Sequence, residues 1–69
     1  MEVHQLSQIK IMQDLIRAKN GVNPFSSSYY DKRLFDLVRV KTKNELAFFL
    51  VDDNINIRAA AKLFMKELV

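Results

Sequence analysis

The chain has 69 residues, of which 49% are hydrophobic and none is cysteine, so we expect one small core held by apolar burial, without disulfides or zinc–thiolate sites. Eleven Lys and Arg against eight Asp and Glu give a net charge of +3, which permits contact with phosphate groups without requiring it. No apolar stretch approaches the ~20 residues that span a bilayer, and no signal-peptide pattern opens the chain. A single domain over residues 1–69 is therefore expected, soluble in the cytoplasm or nucleus and without membrane contact.

The first predicted element is a helix over residues 2–19, a stretch without Gly or Pro. Its apolar side chains recur at spacings of three, three and four, which is the period of one helix face. Asn20-Gly21 follows, and a glycine just after the last periodic residue is typical of a helix C-terminus. The sequence therefore predicts an amphipathic helix whose apolar stripe is Leu6, Ile9, Met12 and Ile16.

The middle of the chain favours β structure. Residues 38–43 alternate β-branched with basic side chains. A period of two places Arg39, Lys41 and Lys43 on one side of a strand. This segment is therefore predicted to be a strand with a basic face.

Two candidate turns extend this strand into a sheet. Residues 43–44 fit a two-residue turn, after which residues 45–52 return as an antiparallel strand. A similar turn at residues 31–32 makes residues 25–30 a first strand. The sequence therefore predicts a three-stranded antiparallel meander.

Residues 54–69 are predicted to form a second helix, because good helix formers follow two possible N-caps, Asn54 and Asn56. The helix has an apolar face and a separate basic row. The complete prediction is an α+β domain in which both helices pack on one face of the meander. The apolar face is Ile57, Ala60, Ala61, Phe64 and Leu68, and the basic row is Arg58, Lys62 and Lys66.

An all-α reading of the same residues stays open. Thr42 and Glu45 fit a capping box, the pattern that begins many helices. Residues 42–62 then have the spacing of a helix-turn-helix. In that reading the core is Leu46, Ala47, Leu50 and Ile57, and the exposed residues of the second helix are Asn54, Arg58 and Lys62.

Residues 35–40, Phe-Asp-Leu-Val-Arg-Val, followed by the Ala-rich stretch 59–63, resemble a double-stranded RNA-binding domain. The resemblance implies the order helix, three antiparallel strands, helix. It also implies that duplex RNA is bound by shape through the first helix, an interstrand loop and the start of the last helix. Those surfaces correspond here to Gln5 and Gln8, to Asp31-Lys32-Arg33, and to the residues before Arg58, where the family's lysine cluster has no counterpart.

The densest group of cations lies between residues 32 and 43. Basic side chains on one surface are what phosphate contact requires, so we expect a binding module for double-stranded RNA or DNA. The expected nucleic-acid-binding residues are Lys32, Arg33, Arg39, Lys41, Lys43, Arg58 and Lys62.

The alternative function is protein–protein interaction or dimerisation. The run from Leu46 to Val51 is apolar at every position, so a strand there shows apolar side chains on both faces, and only one face can meet the helices. The expected partner interface is Phe48, Phe49 and Val51.

Catalysis is not expected. His4 is the only histidine, and no nucleophile or base-orienting partner stands out in the sequence. One glycine in the chain excludes a Gly-rich phosphate loop. We therefore expect no enzymatic activity, no cofactor and no metal site.

Overall fold

The computed structural model describes residues 5–21 and 28–67, and it shows helices and no strand in those ranges. The predicted three-stranded meander, and with it the α+β fold, is therefore wrong, and the described residues form an all-α fold. Of the core expected in the all-α reading, Leu46 and Ile57 are buried and Leu50 is half-buried, whereas Ala47 is exposed. The strands that the RNA-binding-domain resemblance implies are likewise absent from the described ranges. The helices are α1 (Gln8–Lys19), α2 (Tyr29–Leu37), α3 (Lys43–Leu50) and α4 (Ile55–Met65).

The segment predicted as the basic strand is instead the end of α2 and its connection to α3. Val38 caps the C-terminus of α2, and residues 39–42 lead to the next helix. There the Thr42 hydroxyl accepts the backbone N–H of Glu45 at 3.2 Å. This N-cap satisfies a backbone donor that would otherwise be unpaired, so α3 begins where the sheet reading expected a turn.

The predicted returning strand, residues 45–52, is mostly α3. Leu46 and Phe49 are buried while Phe48 is 72% exposed. A strand would place Leu46 and Phe48 on the same face, whereas a helix places Leu46 with Phe49. The all-apolar run is locally compatible with a strand or a helix. In the structure it is a helix, and Leu46 and Phe49 pack together in the core.

The predicted first strand and its turn are also replaced by helix where they can be assessed. Residues 25–27 lie outside the described ranges. The Ser28 hydroxyl accepts the backbone N–H of Asp31 at 3.2 Å and caps α2, so the predicted turn at residues 31–32 lies inside a helix.

The ends of α1 follow local signals. The Ser7 hydroxyl accepts the N–H of Lys10 at 3.2 Å, and the helix stops at Asn20, followed by Gly21 with φ of +84°. Only glycine adopts that conformation without strain, so the predicted stop is confirmed.

Helix α4 is the centre of the packing, because it contacts each of the other three helices, and α1 also contacts α2. Ala60 and Ala61 are fully buried, and their small side chains allow the neighbouring helices to approach closely. The predicted inner face of this helix is confirmed at four positions, while Leu68 lies outside the described residues. The core is Ile11, Leu15, Ala18, Leu34, Leu37, Leu46, Phe49, Ile57, Ala60, Ala61 and Phe64.

Helix α1 carries two apolar stripes on different sides. The inner one, Ile11, Leu15 and Ala18, packs in the core. The predicted stripe has only Leu6, which precedes the helix, packed against the core. Its other members face solvent: Ile9 is 70% exposed, Met12 51% and Ile16 57%.

Candidate binding surface

A groove of about 570 Å³ lies between the N-terminal end of α1 and the outer side of α4. Its lining contains three basic side chains, three apolar side chains and two glutamines, and none of the described residues that line it is acidic or aromatic. We call it the α1–α4 groove. It is lined by Gln5, Gln8, Ile55, Arg58, Ala59, Lys62, Leu63 and Lys66.

The register of α4 sets out the groove as two parallel rows. Arg58, Lys62 and Lys66 recur every four residues, and the three apolar lining residues recur with the same period. Because residues four apart are neighbours on a helix surface, each set forms a continuous line. At a rise of about 1.5 Å per residue, the cationic row extends over roughly 12 Å.

The wall opposite α4 is held by a long-range hydrogen bond. The backbone N–H of Leu6 donates to the Asn56 side-chain oxygen at 2.8 Å, between residues fifty positions apart. Asn56 is buried in the first turn of α4. This bond brings Gln5 and Gln8 beside the basic row, a juxtaposition that sequence spacing does not reveal.

The three cations of the groove differ in their freedom. Arg58 donates to the backbone carbonyls of Asp52 at 2.7 Å and Asp53 at 3.2 Å, so its guanidinium is held in place at the end of the groove. Lys62 and Lys66 are exposed and have no ion pair within the part of the chain that the structure describes. The groove thus combines one positive charge held by hydrogen bonds with two solvent-exposed ones.

Like Arg58, two other predicted phosphate-binding residues already have partners in the fold. The Nε atom of Arg33 lies 3.1 Å from Oδ1 of Asp52, and its guanidinium carbon lies 4.1 Å from the Phe49 ring centroid. Arg39 donates to the Phe35 carbonyl at 2.7 Å and stacks on the Phe35 ring. Both guanidinium groups therefore stabilise local structure.

The other predicted basic residues are spread over separate elements. Lys32 lies in α2, Lys41 in the α2–α3 connection and Lys43 at the start of α3. All three are exposed, and none forms an ion pair among the described residues. The strand face on which the prediction placed Arg39, Lys41 and Lys43 therefore does not exist, because these residues lie in a connection and at the start of a helix.

Asp52, in the turn before α4, is a buried carboxylate with three donors. Its Oδ1 accepts the Tyr29 hydroxyl at 2.7 Å and Nε of Arg33 at 3.1 Å, and its Oδ2 accepts the N–H of Asn54 at 3.0 Å. Burial raises the pKa of Asp52, but these three hydrogen bonds outweigh it and leave the pKa below its ordinary value. The carboxylate joins α2 to the α3–α4 turn.

Asp14 has the corresponding role on α1, and sequence reasoning missed it. Its carboxylate accepts the Tyr30 hydroxyl at 3.1 Å and pairs with Lys10 and Arg17. Burial, and then the nearby charge of Asp14, raise the pKa of Tyr30, so this phenol stays a hydrogen-bond donor. The available signal was an acidic residue between the inner apolar positions of α1.

The predicted partner interface is divided by the helix. Phe48 and Val51 are 72% and 77% exposed, whereas Phe49 is buried in the core. A two-residue apolar patch therefore remains on the outer side of α3.

The larger exposed apolar feature is on α1. Ile9, Met12 and Ile16, which we call the α1 outer stripe, follow helical spacings of three and four. Gln8 of the groove lies one turn before Met12, so the stripe and the groove adjoin. Together they form the candidate binding surface.

No helix in the described ranges is long and apolar enough to cross a membrane. His4 lies outside those ranges, and within them no three His, Cys, Asp or Glu side chains are grouped. A scan against protein-family models returns no match, and comparisons with curated proteins and with solved structures return none.

Proposed function

We propose that this chain is a non-enzymatic protein-interaction module that binds a protein partner through the α1 outer stripe. The observation that supports it is that a different side of α1 packs in the core, so Ile9, Met12 and Ile16 lie outside the buried core and each exposes half or more of its surface. Large apolar side chains grouped on a surface lose contact with water when a partner covers them, which is a driving force for association.

Charge favours a different protein over a second copy of this chain. Two copies would each carry a net charge of +3, and the stripe adjoins a groove whose described lining contains three cations and no acidic residue. Like charges brought together oppose association, and opposite charges favour it. The partner is therefore an acidic protein, and we expect the isolated chain to be a monomer.

The surface area that a stable protein interface buries is larger than the stripe can provide. A stable interface buries about 800 Å² on each partner, and the whole chain exposes 4994 Å². Three side chains cannot supply about a sixth of that surface. The contact therefore extends from the stripe onto neighbouring residues.

The experiment places a photocrosslinking amino acid at Gln13, an exposed position next to Met12, in cells that produce the protein. We expect a crosslink to one stoichiometric partner that is lost in the Ile9→Asp/Ile16→Asp variant. The matched control, Phe48→Asp/Val51→Asp, places the same charges on another exposed apolar patch and should keep the crosslink.

Both double variants should retain their fold, because substitutions at exposed positions usually change stability by within about 0.5 kcal/mol each. Circular dichroism melting checks this. Equal crosslinking by the stripe variant and the wild type would contradict the proposal. A dimer in sedimentation velocity that dissociates in the Ile9→Asp/Ile16→Asp variant would replace the acidic partner with a second copy.

A second candidate function is contact with nucleic-acid phosphate through the central basic segment. It is supported by the exposure of Lys32, Lys41 and Lys43, none of which is ion-paired in the described part of the chain. Binding to duplex RNA and duplex DNA over a salt series tests it, because phosphate contacts make log affinity fall linearly with log salt. Affinity that is unchanged in Lys41→Glu/Lys43→Glu would contradict this candidate.

A further inference from the structure

We propose that the α1–α4 groove binds an acidic amphipathic helix of the partner. This inference rests on the proposed function, and it names the chemistry of the segment that lies next to the α1 outer stripe. Three properties of the groove support it: the sign of its charge, the arrangement of its apolar residues and its continuity with the stripe.

The charge of the groove selects an anionic ligand. Arg58 is fixed by two backbone carbonyls, while Lys62 and Lys66 remain exposed, and no acidic side chain is among the described residues that line the groove. A concave surface with charges of one sign concentrates the field and attracts the opposite charge. Carboxylates are the groups that complete these ion pairs in a protein partner.

The apolar row selects a helix with two kinds of face. Ile55, Ala59 and Leu63 are half-buried and run beside the cations with the same spacing of four residues. An amphipathic helix presents apolar side chains and acidic side chains in adjacent rows with this same spacing. Its apolar row therefore covers the floor of the groove while glutamates or aspartates contact the basic row.

The same features disfavour nucleic acid as the occupant. None of the described lining residues is aromatic, so bases find no ring among them on which to stack. The apolar row next to the cations would face a sugar–phosphate backbone that has little apolar surface to bury. A protein segment uses both rows, whereas a phosphate backbone uses one.

Because the groove adjoins the α1 outer stripe, the partner helix has a larger surface to contact than the groove alone. Gln8 is shared between the groove and the first turns of α1, one turn from Met12. The Gln5 and Gln8 amides can donate to and accept from polar groups at the edge of the partner helix. A helix seated in the groove thus leads directly onto Ile9 and Met12.

The test uses a designed probe with ¹⁵N-labelled protein. The probe is a capped peptide of about 18 residues, long enough to form helix in isolation, with leucines four residues apart and a flanking row of glutamates. A second peptide carries glutamine in place of each glutamate, and a short RNA duplex is the third ligand.

We expect saturable binding of the acidic peptide, with amide shifts at residues 55–66 and at Gln5 and Gln8. Binding should weaken at least about tenfold in Lys62→Glu/Lys66→Glu and for the glutamine peptide, and by less than about twofold in Lys41→Glu/Lys43→Glu. The two lysine variants have the same net charge, so they separate a local contact from general attraction.

Three results would overturn the inference: equal losses in the two lysine variants, amide shifts centred away from the groove, or duplex RNA that displaces the peptide from the groove. The outcome is separable from that of the proposed function. If the acidic peptide fails to bind while the crosslink still depends on Ile9 and Ile16, the groove inference is wrong and the interaction module stands. If the peptide binds in the groove and the crosslink is unchanged in Ile9→Asp/Ile16→Asp, the groove binds acidic helices and the proposed role of the stripe is wrong.

Discussion

Alanine substitutions at three neighbouring positions of α3 distinguish its helical structure from a strand. Leu46 is fully buried and Phe49 is 6% exposed, while Phe48, between them, is 72% exposed. We expect Leu46→Ala and Phe49→Ala to lower the free energy of unfolding strongly and Phe48→Ala to leave it nearly unchanged.

The magnitudes follow from burial. Truncating a fully buried leucine costs about 2–5 kcal/mol, and truncating a buried phenylalanine about 3–5 kcal/mol. Phe49→Ala also removes the ring on which the Arg33 guanidinium stacks at 4.1 Å. A chain of this length has a total stability of roughly 3–10 kcal/mol, so either change removes a large share of it. Phe48→Ala should stay within about 0.5 kcal/mol.

Urea unfolding followed by far-UV circular dichroism measures all three values. In a strand, Leu46 and Phe48 share a face and Phe49 lies on the other, so the first two would cost alike. A Phe48→Ala cost that matches that of Leu46→Ala would therefore refute the helical placement of α3. If the core variants do not fold, Leu46→Met and Phe49→Leu give the same order with smaller values.

Three further predictions concern local contacts. Asp52→Asn removes the charge from a carboxylate that accepts three hydrogen bonds, and it should lower the free energy of unfolding, measured by urea titration at neutral pH, by about 2 kcal/mol. The control Asp53→Asn, at an exposed position, should lower it by under about 0.5 kcal/mol. Because the folded pKa of Asp52 lies below the ordinary 3.8, its stabilisation is complete above that pH and is lost as the pH falls through the lower folded value; an Asp52→Asn deficit that persists unchanged in strong acid would contradict this. Asn54→Ala removes the side-chain acceptor for two N–H groups at the start of α4 and should cost about 1 kcal/mol by thermal melting, while Asn44→Ala on the exposed side of α3 should be near neutral. Gly21→Ala meets no atom within 4 Å but forces alanine to a φ of +84°, so calorimetry should show a loss of about 1–2 kcal/mol, and an unchanged melting temperature would contradict the strain argument.

The end of α1, the start of α4 and the possible start of α3 could be recognised in the sequence because their signals are local. Thr42 and Asn54 bond to N–H groups two or three residues ahead, and Gly21 supplies a conformation that its own lack of a side chain permits. The inner face of α4 was also predictable, since good helix formers with one apolar side leave few alternatives.

The structure of the middle of the chain was predicted wrongly because two local signals, an alternating strand pattern and a helix-capping pattern, occur in the same residues. Alternating residues 38–43 resemble a strand, but they form a helix end and a connection. The run from Leu46 to Val51 is apolar throughout, so neither period is visible in it. The capping pattern at Thr42 predicted the structure correctly, because the Thr42 hydroxyl accepts the backbone N–H of Glu45, which would otherwise be unpaired at the start of a helix. The strand pattern identifies no partner for this N–H group.

Sequence alone therefore determined where α1 stops, where α4 starts and which side of α4 is apolar, because each depends on residues within a few positions of one another. At the start of α3 the sequence left a capping box and a strand turn as alternatives. Only the tertiary structure decided which of the two stripes of α1 is buried, since that choice depends on the shape that α2 and α4 present to it. It also decided that Gln5 and Gln8 lie beside the basic row of α4, through the bond from Leu6 to Asn56. The candidate binding surface therefore combines two local patterns, the α1 outer stripe and the basic row of α4, which only these long-range contacts bring together.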